Sequence, residues 1–279
     1  PYPALNYSSD SNYGPAYGAN FMSPNFLINN DGLTMLGNPA SFSSAEQSAI
    51  EAIRKFSNGS FNQAFVDPKA GVVNPPADAH RLQQFMTGLY SKYQNGMYSN
   101  PWGVGSAMNG DMLNIVFAEE IISEFKPELL TVNMQDVDIG HFNFSDYTNN
   151  LRKADWAAAH LWNHIQNTPG MANDTVMIIA PEHGRNFNAN TSVDAYGRFA
   201  LDHTAPVDGV SGDQMAREIF CMVVGPPSVV KQGQVINTVA GESIDIVPAI
   251  ANLLGFDQNI PVTAGLKDYA ACDIAPAFY

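Results

Sequence analysis

Basic residues are scarce in this chain. Lys and Arg together number 13 against 27 Asp and Glu, which gives a formal net charge of -14 over 279 residues. So few cations cannot neutralise a row of phosphates, which argues against nucleic-acid binding. The same charge argues against docking on an anionic membrane surface. An acidic chain attracts cations, so we expect any anionic substrate to need a bound metal ion.

Long apolar runs and cysteines are also few. No stretch reaches the roughly 20 residues of a membrane-spanning helix, and no signal peptide opens the chain. Because the chain begins at Pro1, we expect it to be processed, truncated or numbered from a later point in a longer precursor. Cys221 and Cys272 fit either one disulfide or two buried thiols. A surface rich in Asn, Ser, Tyr and Gly favours an extracytoplasmic protein.

Hydrophobic periodicity is missing from the first 40 residues, which are rich in Tyr, Asn, Gly, Ser and Pro. We interpret 1–40 as an irregular extended segment that lies along a protein partner. The remaining residues, 41–279, are predicted to form one domain.

The domain alternates strand-like and helix-like patterns. Apolar runs at 129–134, 175–180 and 220–225 predict buried strands. The alternation predicts an α/β fold with a mainly parallel sheet flanked by helices. The predicted helices are one beginning near Ser43 and four more over 79–93, 112–125, 147–166 and 244–254.

Side chains of the metal-binding type follow two of these strands, and a third such patch lies in a loop near residue 203. Ligands collect where the strands of α/β sheets end. Carboxylate with imidazole is the ligand set of zinc, manganese or iron rather than calcium. We therefore predict a divalent-metal site. The candidate ligands are Asp138, His141, Glu182, His183 and His203, with Asp136 in reserve.

Other histidines have a simpler interpretation. A single histidine at a strand end usually forms a cap or a hydrogen bond, and only the combination of three elements favours a metal. His160 and His164 lie four residues apart on one predicted helix, without a third ligand nearby in the sequence. We interpret that pair as helix surface.

Several short motifs stand in order along the chain: Leu161–Gln166, Asp174–Val176, Pro181–Arg185, Asp202 with His203, and Glu242–Gly255. Taken together they are similar to motifs of the alkaline phosphatase/sulfatase superfamily, and most of all to those of its bacterial members. The resemblance covers roughly residues 110–262.

The resemblance implies a two-metal site, usually zinc, that hydrolyses phosphate or sulfate esters. Two metal ions a few ångströms apart stabilise the attacking and leaving oxygens of an in-line displacement. Arg185 would offer a bidentate fork to the non-bridging oxygens, or it would form a structural ion pair. By motif, Asp138, His141 and His203 would hold one metal, and Glu182 and His183 the other.

The chain departs from the superfamily pattern at three points. Glu182 stands where an aspartate is usual. Val137 occupies the usual position of another aspartate, so Asp138 is preferred and Asp136 kept in reserve. Between Pro1 and Gly110 no convincing strand leads into a nucleophile; 30–34 is the one candidate and is otherwise a turn, so for an enzyme we expect the nucleophile upstream of Pro1 or on another chain. Two alternatives therefore stay open: a non-catalytic cell-surface or assembly protein with at most a structural metal, and a metal-free α/β binding domain.

Overall fold

The computed structural model describes residue 44, a subset of residues 81–100, and the ranges 108–203, 213–237, 241–260, 266–272 and 274–279. The predicted segment 1–40 lies outside the described residues. By contacts the chain divides into two compact units. The first contains Pro1–His164 and Ser192–Arg198, and the second contains Ile165–Thr191 and Phe199–Tyr279.

The central helix of the first unit is α1, Gly110–Phe125. It begins at Asn109, whose side chain accepts a hydrogen bond from the backbone N–H of Met112 at 3.0 Å. Such a cap satisfies one of the N–H groups that have no partner inside the helix. The helix ends at Lys126, which adopts a left-handed conformation with φ 45°. The helix predicted over 112–125 is confirmed.

The buried apolar side chains of α1 lie on nearly all sides of the helix rather than in one stripe along it. Met112 and Ile121 are completely buried, and Phe117 is 1% exposed. Burying a side chain of this size contributes about 1.5–3 kcal/mol. The buried residues of α1 are Gly110, Asp111, Met112, Leu113, Ile115, Val116, Phe117, Ala118, Ile121, Ile122 and Phe125.

The long helix α2, Phe144–Asn167, confirms the helix predicted over 147–166. Two of its histidines bind side chains of α1. His160 Nδ1 lies 2.5 Å from Glu119 Oε1, and His164 Nε2 lies 3.1 Å from Ser123 Oγ. These histidines therefore join two helices.

The start of α2 is tied to a later loop by Asp194. Its carboxylate accepts hydrogen bonds from the backbone N–H and the hydroxyl of Ser145. It also accepts the backbone N–H groups of Tyr196 at 2.8 Å and Arg198 at 3.0 Å. Desolvation alone would raise the pKa of Asp194, but these hydrogen bonds outweigh it and lower the pKa from 3.8 to about 2.

The segment between α1 and α2 differs from its prediction. The strand predicted over 129–134 is wrong, because the segment shows only an isolated bridge at Leu130. The side chains of α1 take up its backbone groups: Asn114 donates to the carbonyl oxygen of Asn133 at 3.2 Å, and Asp111 accepts the N–H of Gln135 at 2.7 Å. The segment then continues into a 3-10 helix, Asp136–His141.

Two short strands lie in the second unit, β1 at Met177–Ile179 and β2 at Met222–Val224. They occupy the apolar runs 175–180 and 220–225, so the two strands are confirmed, but their residues are half-buried or exposed rather than buried. They pair antiparallel, with Ile178 opposite Val223. Within the described ranges the sheet has these two strands, and the mainly parallel sheet stays a prediction.

The last helix of the second unit is α3, Ile246–Leu253. It follows a 3-10 turn, Ser243–Asp245, in which Glu242 and Asp245 cap each other's backbone N–H groups. Lys267 forms an ion pair of 2.9 Å with the buried carboxylate of Asp245. Beneath α3, apolar side chains cluster around the antiparallel bridge between Val230 and Phe278. The helix predicted over 244–254 is confirmed.

None of the helices within the described ranges is both long and apolar enough to cross a membrane.

Candidate metal centre

The 3-10 helix of the first unit carries Asp138 and His141. Its repeat of three residues per turn aligns side chains at positions i and i+3. The carboxylate and the imidazole accordingly lie side by side, with His141 Nε2 3.2 Å from Asp138 Oδ1. Both side chains are part-exposed. The sequence-predicted pair is therefore brought together.

The start of this 3-10 helix is anchored on Asp111, whose carboxylate is 1% exposed. Asp111 Oδ1 accepts the backbone N–H of Gln135 at 2.7 Å and that of Asp136 at 3.2 Å. Burial, followed by the nearby charge of Asp136, raises the pKa of Asp111 from 3.8 to about 7. Sequence reasoning missed Asp111, since an aspartate in the first turn of a helix is ordinarily exposed there.

Asp136, the reserve ligand, is bound to the protein itself. Its Oδ2 accepts the backbone N–H of Asp111 at 2.9 Å. Its backbone carbonyl accepts the side-chain amide of Asn150 at 2.8 Å. Asn150 in turn accepts from the amide of Asn109 at 3.3 Å. Asp136 thus joins the first turn of α1 to the N-terminal part of α2.

In the second unit, Glu182 and His183 follow β1, as the sequence predicts. Glu182 is exposed, whereas His183 is half-buried. The imidazole ring of His183 stacks on that of His203, with centroids 3.8 Å apart and an interplanar angle of 25°. His183 Nδ1 also lies 2.8 Å from the carbonyl oxygen of Gly184. The structure therefore brings these two candidate histidines together.

Position 184 requires glycine because the backbone of another segment lies very close to it. Its N–H donates to the carbonyl oxygen of Ala216 at 2.8 Å. A Cβ atom at this position would lie 2.1 Å from the carbonyl oxygen of Met215 and 2.6 Å from that of Glu218. The 3-10 turn Gln214–Arg217 therefore packs directly on the residue that follows His183.

The loop before His203 is fixed by polar contacts with residues 185–190. Arg185 Nη1 donates to the carbonyl oxygen of Leu201 at 3.3 Å. The backbone N–H of Asn186 donates to the carbonyl oxygen of Asp202 at 2.8 Å, and the side chain of Asn190 donates to Asp202 Oδ1 at 3.0 Å. Arg185, the predicted catalytic residue, is thus in contact with the backbone of this loop.

The first unit places one carboxylate and one imidazole side by side, those of Asp138 and His141, and the second unit holds His203 against His183. Carboxylate with imidazole suits a divalent ion of the zinc type. Among the described residues, Glu182 and His183 belong to no group of three possible ligands.

Comparison of the chain with protein-family models, with curated proteins and with solved structures gave no match.

Proposed function

We propose that this chain binds a divalent metal ion, zinc in the first place, and hydrolyses phosphate or sulfate esters. The observation that carries the proposal is the carboxylate–imidazole pair of Asp138 and His141, to which we add His203 as the third ligand. These are the same three residues that the resemblance to the alkaline phosphatase/sulfatase superfamily assigns to one metal.

The surrounding charge supports a metal-dependent role. With a formal net charge of -14, the chain as a whole repels an anionic ester, and a bound cation would offset this repulsion locally. A zinc ion held by Asp138, His141 and His203 would supply Lewis-acid chemistry beside the ester. Asp138 and His141 are part-exposed, so an ester can approach them from solvent.

Other residues would orient the reacting groups. His183 stacks on His203 and so holds the plane of that ring. Arg185 would turn from its contact with the Leu201 carbonyl to the non-bridging oxygens of the ester, which a guanidinium binds in a bidentate manner. Glu182 and His183 are two ligands for a second ion, which we expect to bind more weakly than the first.

A metal analysis of the purified protein tests the proposal. We expect at least one equivalent of zinc per chain, together with hydrolysis of an aryl phosphate or an aryl sulfate. His141→Ala and His203→Ala should lose both. The matched control is His164→Ala, because His164 binds Ser123 of α1 and lies outside the group.

The outcomes separate the parts of the proposal. A wild-type protein without zinc, manganese or iron would overturn metal binding. Unchanged zinc content in both variants would overturn the choice of ligands. Zinc without any hydrolysis would favour a second function.

That second function is a non-catalytic surface or assembly protein in which one metal ion stabilises the fold. It is favoured by the contacts of His183 and Arg185, which both face backbone carbonyl oxygens as structural residues do. For either function we propose an extracytoplasmic location, on the strength of the composition.

A further inference from the structure

We propose that Asp111 is a positioning residue of the metal centre. Its buried carboxylate fixes the backbone that leads into Asp138 and His141. We further infer that Asp136 is the partner of Asp111 in this role and is not a metal ligand. The inference rests on the proposed metal-binding function, which it deepens.

The two aspartates form a closed pair of contacts between segments about 25 residues apart in the chain. Asp111 accepts the backbone N–H groups of Gln135 at 2.7 Å and of Asp136 at 3.2 Å. In return, the backbone N–H of Asp111 donates to Asp136 Oδ2 at 2.9 Å. Each carboxylate therefore binds the backbone of the other segment, and hydrogen bonds from backbone N–H groups to a carboxylate are among the stronger ones.

This restraint reaches the ligands through one further hydrogen bond. The backbone N–H of Asp138 donates to the carbonyl oxygen of Gln135 at 2.9 Å. Gln135 is the residue that Asp111 holds most closely. The first turn of the 3-10 helix is thus fixed at its start, and that turn sets His141 beside Asp138.

A metal centre gains affinity when its ligands are ordered before the ion arrives, since less conformational freedom is then lost on binding. Neighbours that orient the ligands of a metal typically change its affinity by about 10- to 100-fold. Asp111 occupies such a position.

Asp136 has one carboxylate oxygen and its backbone carbonyl engaged elsewhere. One carboxylate oxygen accepts from the first turn of α1, and its carbonyl oxygen accepts from Asn150. Turning the carboxylate towards a metal would break the contact with Asp111. Asp138 has the histidine beside it and is the better ligand.

The experiment measures zinc affinity by competition with a chromophoric chelator, at a temperature where every variant is folded. Asp111→Ala should bind zinc about 10- to 100-fold more weakly than wild type. Asp111→Asn, which keeps one oxygen acceptor, should recover part of that loss. The matched control is Asp245→Asn, because Asp245 is also buried but binds Lys267 and the Glu242 backbone. Its zinc affinity should stay within about threefold of wild type.

A second pair of variants tests the assignment of Asp136. Asp138→Asn should weaken zinc binding more than Asp136→Asn does, because it removes the charge of a ligand. The reverse order would overturn the assignment. An equal loss of affinity in Asp245→Asn and Asp111→Ala would show a general effect of destabilisation and would overturn the positioning role.

Hydrogen exchange in the metal-free protein separates this inference from the proposed function. The amides of Gln135 and Asp136 should exchange slowly in wild type and faster in Asp111→Asn, while the amides of α3 stay unchanged. A wild type without zinc affinity would remove the proposed function, whereas the exchange result still decides whether Asp111 holds the segment. Equal exchange at Gln135 and Asp136 in wild type and variant would overturn the inference.

Discussion

The imidazole rings of His183 and His203 stack with their centroids 3.8 Å apart. In the proposed site His203 is a ligand and His183 lies against its ring face. We expect His183→Ala to abolish hydrolysis of aryl phosphates and sulfates, and to leave the first zinc bound with reduced affinity. His183→Phe keeps a ring for stacking without a ligand nitrogen, so it should restore zinc affinity but not hydrolysis. Steady-state kinetics with zinc titration measures both effects, and unchanged turnover in His183→Ala would remove His183 from the site.

The close approach of backbone at Gly184 can be tested by adding a Cβ atom there. Gly184→Ala places a Cβ atom 2.1 Å from the carbonyl oxygen of Met215, and such overpacking costs about 1–3 kcal/mol of unfolding free energy. Urea unfolding measures the change. The control is Gly88→Ala, a helical position where a Cβ meets nothing within 4 Å and where alanine should stabilise by about 0.5–1 kcal/mol. Equal stability of Gly184→Ala and wild type would contradict the close approach.

We predict that the contribution of Asp194 to the stability of the fold is lost in acid. Because hydrogen bonds lower its pKa in the folded state to about 2 from 3.8, the folded state binds fewer protons between these values. Its contribution is therefore fully present above pH 4 and is lost as the pH falls towards 2. Asp194→Asn should be less stable than wild type at pH 6, and the difference should shrink below pH 4.

Thermal unfolding between pH 6 and pH 2 measures this effect. The matched control is Asp155→Asn, at an exposed position on α2. The stability of this variant should change with pH in the same way as that of wild type. A difference between wild type and Asp194→Asn that does not vary with pH would refute the ionic role of Asp194.

The ion pair of Lys267 and Asp245 is asymmetric, since the carboxylate is 3% exposed and the ammonium 38%. Lys267→Met removes the cation and leaves the buried carboxylate, which should lower the free energy of unfolding by about 1–3 kcal/mol. In the double variant with Asp245→Asn the loss should be smaller than the sum of the single losses. Urea unfolding of the four proteins gives the coupling, and strict additivity would show that the two side chains do not interact.

The helices could be predicted from the sequence because their signals are local. The apolar repeat of α1 is visible in the sequence and predicts a helix over 112–125, which the structure extends at its start to Gly110. The strands were harder to predict. An apolar run such as 175–180 predicts a strand but does not give the direction of its partner, and β1 pairs antiparallel with β2. The run 129–134 looks like a strand too, but a side chain of α1, that of Asn114, donates to the carbonyl oxygen of Asn133 within it.

The ligands could be predicted from residue chemistry, since few side chains bind zinc. The residues that hold these ligands in place could not be predicted from the sequence. The sequence does not show that Asp111 is buried or that it faces residues 135–136, because that depends on contacts about 25 positions away. Asn150 looks like a surface residue of α2, yet it binds the Asp136 carbonyl. Tertiary contacts of this kind leave no periodic pattern.

The burial of α1 on nearly all of its sides has a consequence for biosynthesis. A nascent chain emerges from its N-terminal end, so α1 leaves the ribosome before α2, which contributes part of its surroundings. Until those residues follow, the apolar side chains of α1 that they cover face water. Transiently exposed apolar surface of this kind promotes aggregation. We therefore expect α1 to bind general chaperones during synthesis.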